Sequence, residues 1–291
     1  MISLFIPLGL ATVASVLVAA LTGRCVHPAH AAWLTASAIG AVFFTVFVAA
    51  WAISLSYLAH EPLLGEMFTW CLDPLWVHPD VPRWLGVPAL VVASMASIRM
   101  VRVVRAWRRH RGVDPAAVHV VPLDRPVAYA QTGRGGGVVV STGMLAALQP
   151  DERRAVLAHE LAHLRHRHDR FLVIGQLAGG LLLLRPAARQ LRHALERWAD
   201  EDAAAALGDR VIVARAVARA ALVGQAPPAS QLGMMGADVP RRVEALLGPP
   251  THMRAASARP SLAAAVVFGT VLSAALQLHH LARLVSAVCR T

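Results

Sequence analysis

The chain contains no lysine. Its 28 residues counted as lysine or arginine are all arginine, set against 17 carboxylates for a formal net charge of +11. Usage this one-sided reads as the mark of a GC-rich coding background rather than of a function. Strong positive charge raises the question of nucleic acid. No DNA- or RNA-binding motif is present, however, and much of the charge adjoins apolar stretches, as positive charge does on the cytoplasmic side of membrane spans. Direct nucleic-acid contact is therefore not expected. Cysteine is scarce: Cys25, Cys71 and Cys289 form no CxxC pair, which argues against a thiolate metal site. Charge is scarce as well. Only 15% of the residues are charged, 56% are hydrophobic and the mean hydropathy is +0.53, too apolar for an ordinary soluble domain.

What is present in quantity is long apolar sequence. Ile2 to Leu21 carries no charge and lacks the basic start of a signal peptide, so it reads as a retained span. Trp33 to Leu58 is a second uncharged stretch, with Trp33, Trp51 and Tyr57 at interface depths. Between His60 and Arg83 lies an acidic loop with Trp70 and Trp76, expected at headgroup level. Leu85 to Val104 is a third span and runs into Arg99, Arg102, Arg105, Arg108, Arg109 and Arg111, the strongest basic cluster in the chain. That cluster belongs in the cytoplasm. Ser261 to Val285 is the fourth span. His279 and His280, near its outer end, read as interfacial. This topology puts Cys71 and Cys289 on the outer side, where free thiols are expected ahead of a disulfide. The expected domains are 1–104, a three-helix membrane region; 105–260, a cytoplasmic domain; and 261–291, the fourth span with a short tail.

The cytoplasmic stretch holds the chemistry. His159-Glu160-Leu161-Ala162-His163 is an HExxH sequence in a run of Ala, Leu and Val. Helical spacing puts His159 and His163 one turn apart on one face, so both rings can reach one ion. Glu160 stands in the general-base position. Pro150, Asp151 and Glu152 suit the start of that helix, and Arg165, His166, Arg167, His168 and Arg170 suit its end. A catalytic zinc ion takes three protein ligands and leaves one position open. Glu196 is the candidate third ligand. Asp200, one turn on, is placed to hold the tautomer of a ligand histidine. One Zn2+ per chain is the expected cofactor. A cation should stabilise the oxyanion, with His166, His168 and the downstream arginines all open as candidates.

Around this motif, Val118 to Leu123, Val127 to Ala130 and Val138 to Ser141 read as short strands of a small antiparallel sheet. Val138, Val139 and Val140 are candidate substrate-binding residues on an edge strand, since an edge can hold a peptide backbone by strand addition; a plain core strand is the other reading. Phe171 to Leu184 is too short for a comfortable span. It reads as a buried or membrane-dipping helical hairpin that returns Glu196 to the histidines. Ala203 to Leu222 continues as helix, Gln225 to Ala237 is a loop, and Val239 to Leu247 is a short helix.

These residues together resemble a family. His159 to His163, the Arg/His-rich run with Asp169, and Glu196-Arg197-Trp198-Ala199-Asp200 resemble the BlaR/MecR-type membrane metallopeptidases. Val138 to Leu145 and Arg241 to Leu247 resemble both that family and its HtpX/Ste24-type relatives. The resemblance implies His159, His163 and Glu196 as zinc ligands, Glu160 as catalytic acid/base and Asp200 as the residue behind a ligand. It implies an α-helical integral membrane protein with four transmembrane helices, three before and one after an α+β gluzincin-like zinc peptidase domain, in a bacterial plasma membrane. It also implies a zinc endopeptidase acting as an antirepressor in signal transduction, with a BlaI-type repressor as protein substrate. Sensors of that type carry a penicillin-binding domain after the fourth span; the sequence stops at Thr291, so direct beta-lactam acylation is not expected. Ala199 stands where many members have Cys. The lipid bilayer is the other expected partner, and self-association stays open. Two rival functions remain: an HtpX-like quality-control protease, and a non-catalytic zinc-bound signalling protein.

Overall fold

The computed structural model describes residues 27–59, 81–109, 117–132, 137–181, 184–224, 238–249 and 268. The first expected span, the fourth apart from residue 268, the acidic loop before residue 81, the Gln225–Ala237 loop and all three cysteines lie outside these. The second and third spans are helices α1 (Pro28–Ala59) and α2 (Arg83–Arg109), both long and apolar enough to cross a membrane. They run antiparallel, with Tyr57 against Gly86 and the Trp51 indole N–H donating to Ser97 Oγ at 3.2 Å. Only glycine fits at 86, since a Cβ there would stand 2.2 Å from the Tyr57 ring.

The two helices use their apolar surface differently. α2 leaves Trp84, Val87, Val91, Met95 and Ile98 exposed. The first half of α1 instead enters a protein core. Ala31, Ala32, Ala36, Ile39 and Val42 are buried with Phe171, Ala178, Leu191 and Leu195. Burial of this kind contributes about 25 cal/mol per Å2 of apolar surface. It fixes the hairpin formed by α5 (His168–Ala178) and α6 (Arg185–Leu207) against α1. The hairpin expected over Phe171 to Leu184 is therefore present: Gly175 faces Leu191 and Phe171 faces Trp198.

The strands β1 (Val118–Val121), β2 (Ala128–Ala130) and β3 (Val138–Ser141) form a sheet of order β1-β3-β2. Two expectations need correction here. The sheet is mixed, because β1 pairs parallel with β3 and β2 antiparallel to it. And Val138, Val139 and Val140 lie on the middle strand, with neighbours on both sides, so they cannot receive a substrate strand. The reason is visible in the sequence: an uninterrupted apolar run suits a strand buried on both faces, and all of β3 is buried. The edges are β1 and β2.

Ser141 ends β3 and caps α3 (Thr142–Ala147) through its hydroxyl, which accepts from the Met144 N–H at 3.0 Å. α4 (Pro150–Arg165) starts with a reciprocal capping box between Gln149 and Glu152. Buried Glu152 is also 3.3 Å from Arg219, on α7 (Arg210–Val223). α8 (Val239–Leu247) is pinned by Arg210, which donates to the Ala245 and Leu246 carbonyls and pairs with Glu201. α4 lies between β2 on one side and α6 and α7 on the other.

Candidate metal centre

α4 and α6 cross so that their polar positions meet in a dry interior. On α4, His159, Glu160 and His163 are buried; on α6, Glu196 and Asp200 are buried. His159 Nε2 is 3.1 Å from His163 Nε2 and 3.4 Å from Glu196 Oε2, and His163 Nε2 is 3.7 Å from Glu196 Oε1. Two imidazoles and a carboxylate thus offer three ligand atoms within 4.8 Å of one another. A tetrahedral ion with bonds of about 2.05 Å holds its ligand atoms about 3.3 Å apart, so this donor set fits zinc. All three side chains are buried and face one another.

Each histidine is held from behind, and the two supports differ. His159 Nδ1 lies 2.9 Å from Asp200 Oδ1. Asp200 in turn accepts from Arg242 Nε at 2.8 Å and Nη2 at 2.6 Å, while Arg242 Nη1 lies 2.9 Å from Glu196 Oε2. One guanidinium therefore spans both carboxylates of α6. Burial works against charge on all of these groups. It is outweighed by their mutual attraction, which holds Glu196 down at about 2 and Asp200 well below the usual carboxylate range, and pushes Arg242 up. Burial likewise disfavours a charged His159, but Asp200 and Glu196 prevail and hold it up at about 9 without metal.

His163 has a neutral support. Its Nδ1 is 2.7 Å from Nδ1 of His168, the first residue of α5. His168 is fully buried and packed on Trp198, with its pKa pushed down to about 3 by burial and then by neighbouring histidines. A neutral His168 can accept from His163 Nδ1 when the bare Nε2 of His163 faces the metal position. The chain makes this turn through Arg167, whose φ of 53° and ψ of 47° are left-handed.

Glu160 is the least compensated group of the centre. Burial raises its pKa from 4.5 to about 7, and the neighbouring Glu196 adds to the rise that His159 opposes. The Ala130 backbone N–H faces it and weakly favours its charged form. That contact places the β2 edge at the site. Gln131 N–H donates to Gly137 O and Val127 O accepts from Ser141 N–H, so by strand alternation the amides of Ala128 and Ala130 point away from β3.

The sequence-derived residues His159, Glu160, His163, Glu196 and Asp200 all converge, while Val138 to Val140 do not reach the centre as an edge. Of the oxyanion candidates, each named group already has a partner: His166 Nε2 lies 2.5 Å from Asp202, His168 serves His163, and Arg242 serves two carboxylates. His168, named in the sequence only as an oxyanion candidate, and Arg242, named only within a family-like run, are the neighbours whose partners sequence reasoning missed. A sign of Arg242 was available. It shares a face of α8 with Leu246, and a cation on the apolar face of a short helix needs buried carboxylates.

Residues 99–226 match the profile of peptidase family M48. The match takes in every group of the centre except Arg242. A Protease HtpX homolog of Aeropyrum pernix is 32% identical over 138 residues, 44% of this chain and 42% of its own. One of Methanocaldococcus jannaschii is 27% identical over 151 residues, 44% of this chain and 52% of its own. One of Thermoplasma acidophilum is 29% identical over 117 residues, 36% of this chain and 37% of its own. The chain thus spans about half the length, or less, of the curated relatives it matches. No solved structure matches the chain. The M48 and HtpX matches support a metalloprotease of HtpX/Ste24 type, and they do not extend to the antirepressor role expected from the BlaR/MecR resemblance.

Proposed function

We propose that the protein is a membrane-embedded zinc endopeptidase of gluzincin type, with His159, His163 and Glu196 as ligands and Glu160 as catalytic base. The observation that carries this is the convergence of three ligand atoms beside a buried glutamate whose pKa lies near 7. Zinc, when bound, supplies a Lewis acid that polarises the scissile carbonyl and acidifies water. Glu160 takes the proton of the attacking water as the C–O bond forms and delivers it to the amine as the C–N bond breaks. A pKa near neutrality suits both transfers. Asp200 fixes the ring of His159, and His168 that of His163. The outward amides of β2 hold the substrate backbone by strand addition next to Glu160. α1 and α2 cross the membrane, with the arginine-rich end of α2 and the peptidase domain in the cytoplasm.

The matches to HtpX homologues make the HtpX-like reading, a protease acting on membrane proteins, at least as well supported as regulation of a repressor. The test uses wild type and Glu160→Gln purified in detergent. Bound zinc is quantified, then cleavage of a membrane protein with an unfolded cytoplasmic segment is followed beside that of a BlaI-type repressor. Zinc in both proteins with cleavage in wild type alone supports the assignment, with a fall of about 100- to 10,000-fold in the variant. Equal turnover in both removes Glu160 from the mechanism, and no zinc in either removes the metal centre.

A further inference from the structure

The exposed face of α2 changes chemistry along its length. Trp84, Val87, Val91, Met95 and Ile98 are exposed and follow one another at helical spacings of three and four. The same spacing continues the face as Arg102, Arg105 and Arg109, all exposed. From Trp84 to Arg102 the helix rises about 27 Å, close to the ~30 Å of a bilayer's hydrocarbon core. A tryptophan at one end and arginines at the other suit its two interfaces.

A second basic stripe stands at the same height. Arg99 donates to the Gln176 carbonyl at the end of α5, from Nε at 2.9 Å and Nη2 at 2.5 Å. The hairpin turn and the start of α6 therefore lie level with Arg99. From that level Arg102 to Arg109 climb about 5–15 Å along α2, and Arg189 and Arg192 climb about 6–11 Å along α6. Both of the latter are exposed. Among the described residues none of the five has a carboxylate partner.

We infer that Arg102, Arg105 and Arg109 on α2, with Arg189 and Arg192 on α6, form a seat for the phosphate-bearing headgroups of an anionic phospholipid bilayer. The inference rests on the membrane-spanning reading of α1 and α2. Continuity selects lipid: the arginines begin where the exposed apolar face ends, and guanidinium groups bind phosphate with paired N–H donors. An acidic soluble partner would account for the charge but not for its place. The seat sets the height of the metal centre, because the α6 that carries Arg189 and Arg192 also carries Glu196.

The test reconstitutes the full chain into vesicles of equal parts phosphatidylcholine and phosphatidylglycerol, recovers it in mild detergent, and measures the ratio of the two lipids retained. Wild type should be enriched in phosphatidylglycerol. Enrichment should fall about fivefold for each arginine changed to Gln at low salt, and be kept in the matching Lys variants. Arg102→Gln with Arg105→Gln is the smallest informative set, and its bound zinc reports that the fold is intact. Equal enrichment in wild type and the Gln variants, or none in wild type, overturns the inference. Loss of enrichment with inorganic phosphate in place of added chloride at equal ionic strength assigns a free-anion site and also overturns it. Alkaline extraction separates the two levels. If the chain leaves the vesicles, the membrane reading fails and takes the seat with it. If the chain stays while the lipid ratio is unmoved, the seat alone fails.

Discussion

The two histidines of the centre sit one helical turn apart and are steadied by opposite means. Behind His159 stands a charged network, Asp200 and Glu196 joined by Arg242. Behind His163 stands a neutral imidazole in an aromatic cluster of His168, Trp198 and Phe171. A carboxylate behind a ligand imidazole raises its basicity, whereas a neutral ring fixes orientation and adds little charge. The charged half is assembled from two helices distant in sequence. In the neutral half the hydrogen-bonding ring comes from the turn directly after α4, with Trp198 of α6 packed on it.

Breaking the charged half should have the largest effect on the fold. Arg242→Met leaves two carboxylates buried without their cation and should cost about 3–5 kcal/mol of stability, read by denaturant unfolding of the metal-free protein. A loss below about 1 kcal/mol would show that water or other groups already compensate them. Asp200→Asn should weaken zinc binding about 10- to 100-fold in competition with a chelator while preserving the fold. His168→Phe keeps the ring packing and removes the acceptor, so it should weaken zinc by about tenfold at most. If His168→Phe costs more than Asp200→Asn, the contrast between the halves is wrong.

The pH dependence sharpens the same contrast without mutation. In the metal-free protein His159 is raised from 6.5 to about 9, so its contribution to folding is full below pH 6.5 and is lost as pH rises through 9. Glu160, raised from 4.5 to about 7, acts in the same direction, its contribution fading from pH 4.5 through 7. Glu196, lowered to about 2, acts oppositely, its contribution present above pH 4.5 and lost as pH falls through 2. His163 and His168, both held below 6.5 chiefly by burial, contribute stability that grows as pH rises toward 6.5, and together they outweigh Glu160 there. Metal-free stability should therefore peak near pH 6.5 and decline toward pH 9. Zinc binding at pH 7 should release the His159 proton, seen as a buffer-dependent heat in calorimetry. A buffer-independent heat would mean that His159 is already neutral.

Much of the centre was legible in the sequence because its parts obey local periodicity. His159 and His163 are separated by one turn, and so are Glu196 and Asp200; both pairs lie on helices whose starts and ends carry ordinary signals. Arg242 was not legible as a partner because 42 residues separate it from Asp200, and no periodicity links the two. His168 lies five positions from His163, off the helical register. It returns only because Arg167 adopts a left-handed conformation that its residue type does not announce. The sheet was misread for another reason. Short strands leave pairing direction open, and the parallel pairing of β1 with β3 depends on the crossover to β2. Trp33 to Leu58 was read as a membrane span, yet the first half of α1 packs against Phe171 and Leu195, because hydropathy does not distinguish a bilayer from a protein core.

α5 is fastened to α2 at both ends. The Trp107 indole N–H donates to Asp169 near its start, at 2.8 Å, and Arg99 holds the Gln176 carbonyl near its finish. A rod clamped at two points follows the tilt of whatever holds it. His168 precedes Asp169 by one residue, so the ring that orients His163 rides on that rod. A change in the tilt of α2 would thus reach the His168 ring, and through it His163, without passing along α4.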